Sequence, residues 1–93
     1  LWTASTRGWK EEVRQLLEEG EDVDARGGPT ESTPLHESSF WGHLECSWLL
    51  VRARADVSAK TRRRETPLHY AVRNGHDNIV RLLLEHGADV STK

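Results

Sequence analysis

Apolar residues return in steps of three and four over the last third of the chain, where Ile79, Val80, Leu83 and Leu84 make one stripe. That spacing predicts an amphipathic helix. Gly87 stands where the helix must end in a left-handed residue, and ADVST after it is expected to open an extended finger. Ahead of this stripe, Leu68, Ala71 and Val72 fall at helical spacing on one face, as do Leu35, Ser38 and Ser39. Both shorter segments begin Thr-Pro, at Thr33-Pro34 and Thr66-Pro67. A threonine hydroxyl caps free amides, and proline in the first turn sacrifices no hydrogen bond. Gly42 and Gly75 then break the chain before the next helix. The predicted unit is helix, turn, helix, finger.

The unit repeats. TPLHESSFWGH at 33–43 returns as TPLHYAVRNGH at 66–76. GHLECSWLLVRARADVSAK at 42–60 aligns with GHDNIVRLLLEHGADVSTK at 75–93, and GWKEEVRQLLEEGEDVDAR at 8–26 aligns one period earlier. On these motifs, which cover essentially all 93 residues, the chain resembles the ankyrin-repeat family, known by its T-P-L-H signature and its period of about 33 residues. The resemblance implies an all-α fold, an ankyrin-repeat solenoid of helix-turn-helix units with finger-like turns. A single domain over 1–93 is expected, with repeat 1 at about 1–32, repeat 2 at 33–65 and repeat 3 at 66–93. One such unit cannot bury its own apolar face, so stacking makes the core and stability sums over neighbours.

Composition narrows the function. Net charge is −2, with eight acids against four bases in residues 1–31 and four against six in residues 32–65. This balance does not suit wholesale phosphate neutralisation, so nucleic acid is not the expected partner. Apolar runs such as Trp48-Leu49-Leu50-Val51 fall far short of the roughly 20 residues that span a bilayer, and no membrane association is expected. The start at Leu1, without Met or a signal-like segment, suggests a trimmed chain. The lone Cys46 excludes an internal disulfide and fits a cytoplasmic or recombinant origin rather than secretion.

Five histidines, His36, His43, His69, His76 and His86, invite a metal or general-base reading. The ankyrin resemblance implies structural roles for four of them, as hydrogen-bonding residues of TPLH and at the start of each second helix. Cys46 stands where repeat 3 has Ile79 and reads as core filler. No nucleophile, base and orienting group come together, so no catalytic residue, metal, cofactor or small-molecule substrate is expected.

A protein partner remains. Four tryptophans are many for this length, and register places Trp41, Trp48 and Trp9 towards solvent, where aromatic residues mark interfaces. The resemblance implies docking on the inner, concave surface of first helices and fingers, with the two residues before each GH as variable members. Phe40 and Trp41 occupy those slots. One repeat step sets Glu37 beside Tyr70, Phe40 beside Arg73 and Trp41 beside Asn74, while Arg62, Arg63 and Glu65 come from the intervening finger. The expected site is an aromatic centre with a charged rim, with Trp9 and Trp48 as a secondary surface.

The middle repeat departs from the family frame. Ser38, Ser39 and Ser47 replace apolar residues, Arg64 replaces a finger-tip glycine, and Arg54 stands where Gly20 and Gly87 end the flanking helices. A left-handed arginine costs roughly 1 to 2 kcal/mol relative to glycine. Ser47 is expected to place its hydroxyl on a carbonyl of the preceding turn. Such losses fit selection for binding rather than stability, including an engineered or selected scaffold, or simple drift. The alternative function is a structural fragment that stacks end to end with further repeats or with another copy.

Overall fold

The structure, a computed structural model, describes residues 1–88. Six helices follow one another among them: α1 (Trp2–Arg7), α2 (Lys10–Glu18), α3 (Pro34–Trp41), α4 (Leu44–Arg52), α5 (Pro67–Arg73) and α6 (Asp77–Glu85). Helices α1, α3 and α5 pack side by side as an inner row, and α2, α4 and α6 pack behind them as an outer row. They form the helix-turn-helix pairs expected of an all-α solenoid.

Local chemistry sets the helix starts. Thr33 Oγ1 accepts the His36 amide at 3.3 Å, and His36 Nδ1 accepts the Thr33 amide at 3.1 Å. Thr66 and His69 repeat the arrangement at 3.3 and 2.8 Å. This is a reciprocal capping box with histidine in the place usually held by glutamate. Because Nδ1 accepts, Nε2 of His36 carries the proton, which it donates to the Glu65 carbonyl at 2.8 Å.

A second histidine ties each repeat to the one before it. His43 Nε2 donates to the Thr6 carbonyl at 3.1 Å, and His76 Nε2 donates to the Phe40 carbonyl at 3.0 Å. Each ring lies over the glycine that ends the preceding first helix. A Cβ on Gly42, whose φ is 79°, would come within 2.7 Å of the His76 ring. Gly42 therefore answers two demands, a left-handed helix end and a close approach.

Val13, Leu35, Leu50, Ile79 and Leu83 are fully buried between the two rows. Cys46 is buried with them, and its thiol pKa is pushed up to about 11, chiefly by burial. Ser38 and Ser39 face inward with Leu35, as expected. Val72 does not share the buried face of Leu68 and Ala71; it is 61% exposed. Its counterpart Ser39 is covered by α5, whereas Val72 lies on the end of the stack. Leu84 is 41% exposed for the same reason, although its counterpart Val51 is buried. Ser47 also differs from expectation: its hydroxyl meets Ser38 Oγ of α3 at 2.7 Å instead of a carbonyl in its own helix.

The fingers are turns with little sheet character. The first carries one isolated bridge, Gly27 to Ser32, and the second closes through the Thr61 amide on the Glu65 carbonyl at 2.9 Å. They are joined by the Arg62 amide on the Thr30 carbonyl at 2.9 Å and by Arg26, which donates to the carbonyls of Glu31 and Lys60. The finger expected at ADVST lies, from Asp89 onward, outside the described residues.

Candidate protein-docking surface

The inner row carries a continuous line of aromatic edges. His36 meets Tyr70 at 5.3 Å between ring centroids, Tyr70 meets Phe40 at 5.6 Å, and Phe40 meets Trp41 at 4.8 Å, all edge to face. Such pairs are favourable beyond the area they bury. The line runs from the buried capping box to Trp41, which is 54% exposed. It is rooted at one end and open at the other.

This arrangement corrects two sequence expectations. Tyr70 is buried and supports the surface from beneath rather than lining it. Burial raises the pKa of its phenol above the ordinary value. Phe40 has an aromatic neighbour in the next repeat, since helical side chains lean towards the N-terminus of their own helix. Its ring therefore reaches the level of Glu37 and packs on Tyr70, the Glu37 counterpart, instead of standing isolated beside Arg73. Phe40 is half-buried. Trp41 is the aromatic that projects.

The polar members are mostly committed within the chain. Glu37 accepts from Thr6 Oγ1 at 3.3 Å and Ser32 Oγ at 2.7 Å, binding α3 to α1 and to the first finger. Arg73 lies over the Tyr70 ring at 5.6 Å and pairs with Glu65, whose carboxyl it pulls below the ordinary range. Asn74 donates to the Tyr70 carbonyl at 2.9 Å and closes the end of α5. Arg62 and Arg63 are exposed on the second finger, and neither has a carboxylate partner among the described residues.

Trp9 and Trp48, expected to share one secondary surface, part company. Trp48 is 45% exposed on the outer helix α4, with the Arg52 guanidinium 4.8 Å above its ring. Trp9, 50% exposed, shares a groove with Trp41, lined further by Trp2, Thr3, Thr6 and Arg7. Trp2 and Arg7 were missed by the sequence reading. Counting 34 residues back from His36 reaches Trp2, so it stands in the TPLH histidine slot of repeat 1. Its indole N–H donates to Ser32 Oγ at 3.0 Å, as His36 donates to the backbone of Glu65, the Ser32 counterpart.

The two rows of helices, the histidine clamps and the fingers define a stacked repeat protein whose inner face is rich in aromatic residues. The family model for ankyrin repeats, three copies, matches residues 1–93, and the chain belongs to the ankyrin-repeat family. It is 38% identical over 90 residues to ankyrin repeat and SOCS box protein 5 of Oryctolagus cuniculus, covering 97% of this chain and 27% of that protein. It is 44% identical over 92 residues to ankyrin repeat and SOCS box protein 3 of Homo sapiens, covering 92% of this chain and 17% of that protein. With protein phosphatase 1 regulatory subunit 27 of Homo sapiens it shares 41% over 61 residues, 66% of this chain and 40% of that protein. The chain thus spans about a quarter of the first of these relatives and less than half of the others. Ankyrin repeats in general mediate protein–protein interaction. No helix among the described residues is long and apolar enough to cross a membrane.

Proposed function

We infer that this chain is a non-enzymatic interaction module that docks a folded protein through its inner face, with Trp41 as the anchor. The observation that carries this reading is the support beneath an exposed tryptophan. Trp41 stands on Phe40, and Phe40 on buried Tyr70. An aromatic held this way loses little rotational freedom on binding, which favours affinity. Arg62 and Arg63 form the charged rim and steer an acidic partner, raising its association rate at low salt. A relative named as a regulatory subunit fits a protein partner.

The test is capture of binding proteins on the wild-type chain and on single alanine variants, with folding checked by circular dichroism. Trp41→Ala is expected to lose about 2 kcal/mol or more, roughly 30-fold in affinity. Phe40→Ala should follow it, and Trp48→Ala should bind as wild type. Partner loss with Trp48→Ala alone would move docking to the outer helices and end this reading.

A second reading rests on the end of the stack. Val72, Val80 and Leu84 make an aliphatic strip there, in the register that Ser39, Ser47 and Val51 occupy beneath repeat 3. This strip would receive a further repeat or a second copy.

A further inference from the structure

The groove beside Trp41 has a chemistry of its own. Three indoles, Trp2, Trp9 and Trp41, and the Thr6 side chain line an open groove of about 620 Å³ between α1 and the end of α3. Arg7 is its one charged wall, and the guanidinium carbon lies 5.7 Å from the Trp9 ring centroid. Arg7 has no ion pair among the described residues. The Glu37 carboxylate accepts from the Thr6 and Ser32 hydroxyls and makes no ion pair with Arg7. The groove therefore offers apolar ring faces and, at Arg7, a guanidinium without an ion pair among the described residues.

The second finger adds to that charge. Lys60, Arg62, Arg63 and Arg64 are all exposed; of the carboxylates beside them, Glu65 is paired with Arg73, and Glu31 of the adjoining first finger is in no ion pair among the described residues. The finger lies at the N-terminal end of α3, whereas Arg7, Trp9 and Trp41 of the groove lie at its C-terminal end. Eight residues of helix separate them by about 12 Å, a span that an extended peptide covers in about four residues. Reaching the finger tip takes a few more.

We propose that the groove binds an extended acidic segment of the partner, with one bulky apolar side chain between Trp9 and Trp41 and a carboxylate on Arg7. Further carboxylates, about four to seven positions along the segment, meet Arg62 and Arg63. This rests on inner-face docking and specifies its chemistry. Charge complementarity selects the segment: a basic one would meet Arg7 and the finger with like charge, and an uncharged one would leave both unanswered.

Selection of displayed random peptides of about a dozen residues against the whole chain tests the proposal, followed by synthesis of the consensus peptide. The expected consensus has one large apolar residue and carboxylates about four to seven positions from it. Its affinity should fall about tenfold or more with Trp41→Ala, Trp9→Ala or Arg7→Glu, all on exposed side chains, and should not change with Trp48→Ala. Basic or uncharged consensus sequences, no enrichment, or binding indifferent to Trp9 and Arg7 would overturn it. If peptides fail while Trp41→Ala still abolishes capture of a folded partner, the acidic segment falls and inner-face docking stands. If capture ignores Trp41, both fall.

Discussion

At the scale of single residues, two side chains set measurable properties. Arg54 adopts φ 71° just after α4, where its counterparts Gly20 and Gly87 adopt 89° and 96°. Glycine reaches that region without the Cβ clash that arginine suffers. Arg54→Gly is expected to raise stability by roughly 1 kcal/mol, read as a higher denaturation midpoint; an unchanged midpoint would show that the strain is relieved elsewhere. His36 acts through protonation. Burial is the main cause that lowers its pKa from 6.5 to about 4, so the folded chain holds it neutral while the unfolded chain protonates it. Its contribution is fully present above pH 6.5 and is lost as pH falls towards about 4. Over that window stability should drop by up to roughly 3 kcal/mol. A nuclear magnetic resonance titration should find the His36 ring neutral until the pH nears 4. A midpoint close to 6.5 would contradict the burial argument.

At the scale of elements, helix α3 carries two neighbouring serines with opposite energetics. Ser38 Oγ donates to the Leu35 carbonyl at 3.3 Å and meets Ser47 Oγ of α4 at 2.7 Å. Ser39 Oγ is buried without a hydrogen-bond partner, and so is Ser5 Oγ at the same register of α1. A buried hydroxyl without a partner costs about 1 to 3 kcal/mol, and alanine is the better helix former. Ser39→Ala is therefore expected to stabilise the stack by about 1 kcal/mol, whereas Ser38→Ala, which strands Ser47, should cost a similar amount. Urea denaturation of the two variants checks this, and the same sign for both would refute it. One turn of helix thus contains both a satisfied and an unsatisfied buried hydroxyl.

At the scale of the whole molecule, stability is a sum over stacked neighbours, so the ends differ from the middle. Position 39 is buried in repeat 2, and its counterpart 72 is exposed in repeat 3; positions 51 and 84 repeat the contrast. If the strip of Val72, Val80 and Leu84 accepts another copy, sedimentation equilibrium should show association that grows with concentration and is abolished by Leu84→Glu. A monomer at every concentration would exclude self-stacking and leave the inner face as the working surface. Charge is distributed at this scale too. The acidic outer helix α2, with Glu11, Glu12 and Glu18 exposed, lies away from the arginines of the second finger.

Much of this was legible in the sequence because ankyrin architecture is written in local chemistry. Thr-Pro starts, histidine caps and glycine ends are decided within a few residues, and a period of 33 copies them along the chain. From these alone follow the helix pairs, the left-handed Arg54, the buried Cys46 and the exposure of Trp9, Trp41 and Trp48. What the sequence could not decide is which long side chains meet across a repeat boundary. A register of backbones pairs Phe40 with Arg73, but side-chain lean and ring size pair it with Tyr70. Burial of Tyr70 beneath it, the Ser38–Ser47 contact and the commitment of Glu37 to Thr6 and Ser32 are likewise products of three-dimensional packing. So is the meeting of Trp2, Arg7 and Trp9 with Trp41 in one groove. Stacking direction and side-chain reach brought them together, and neither quantity is periodic in the chain.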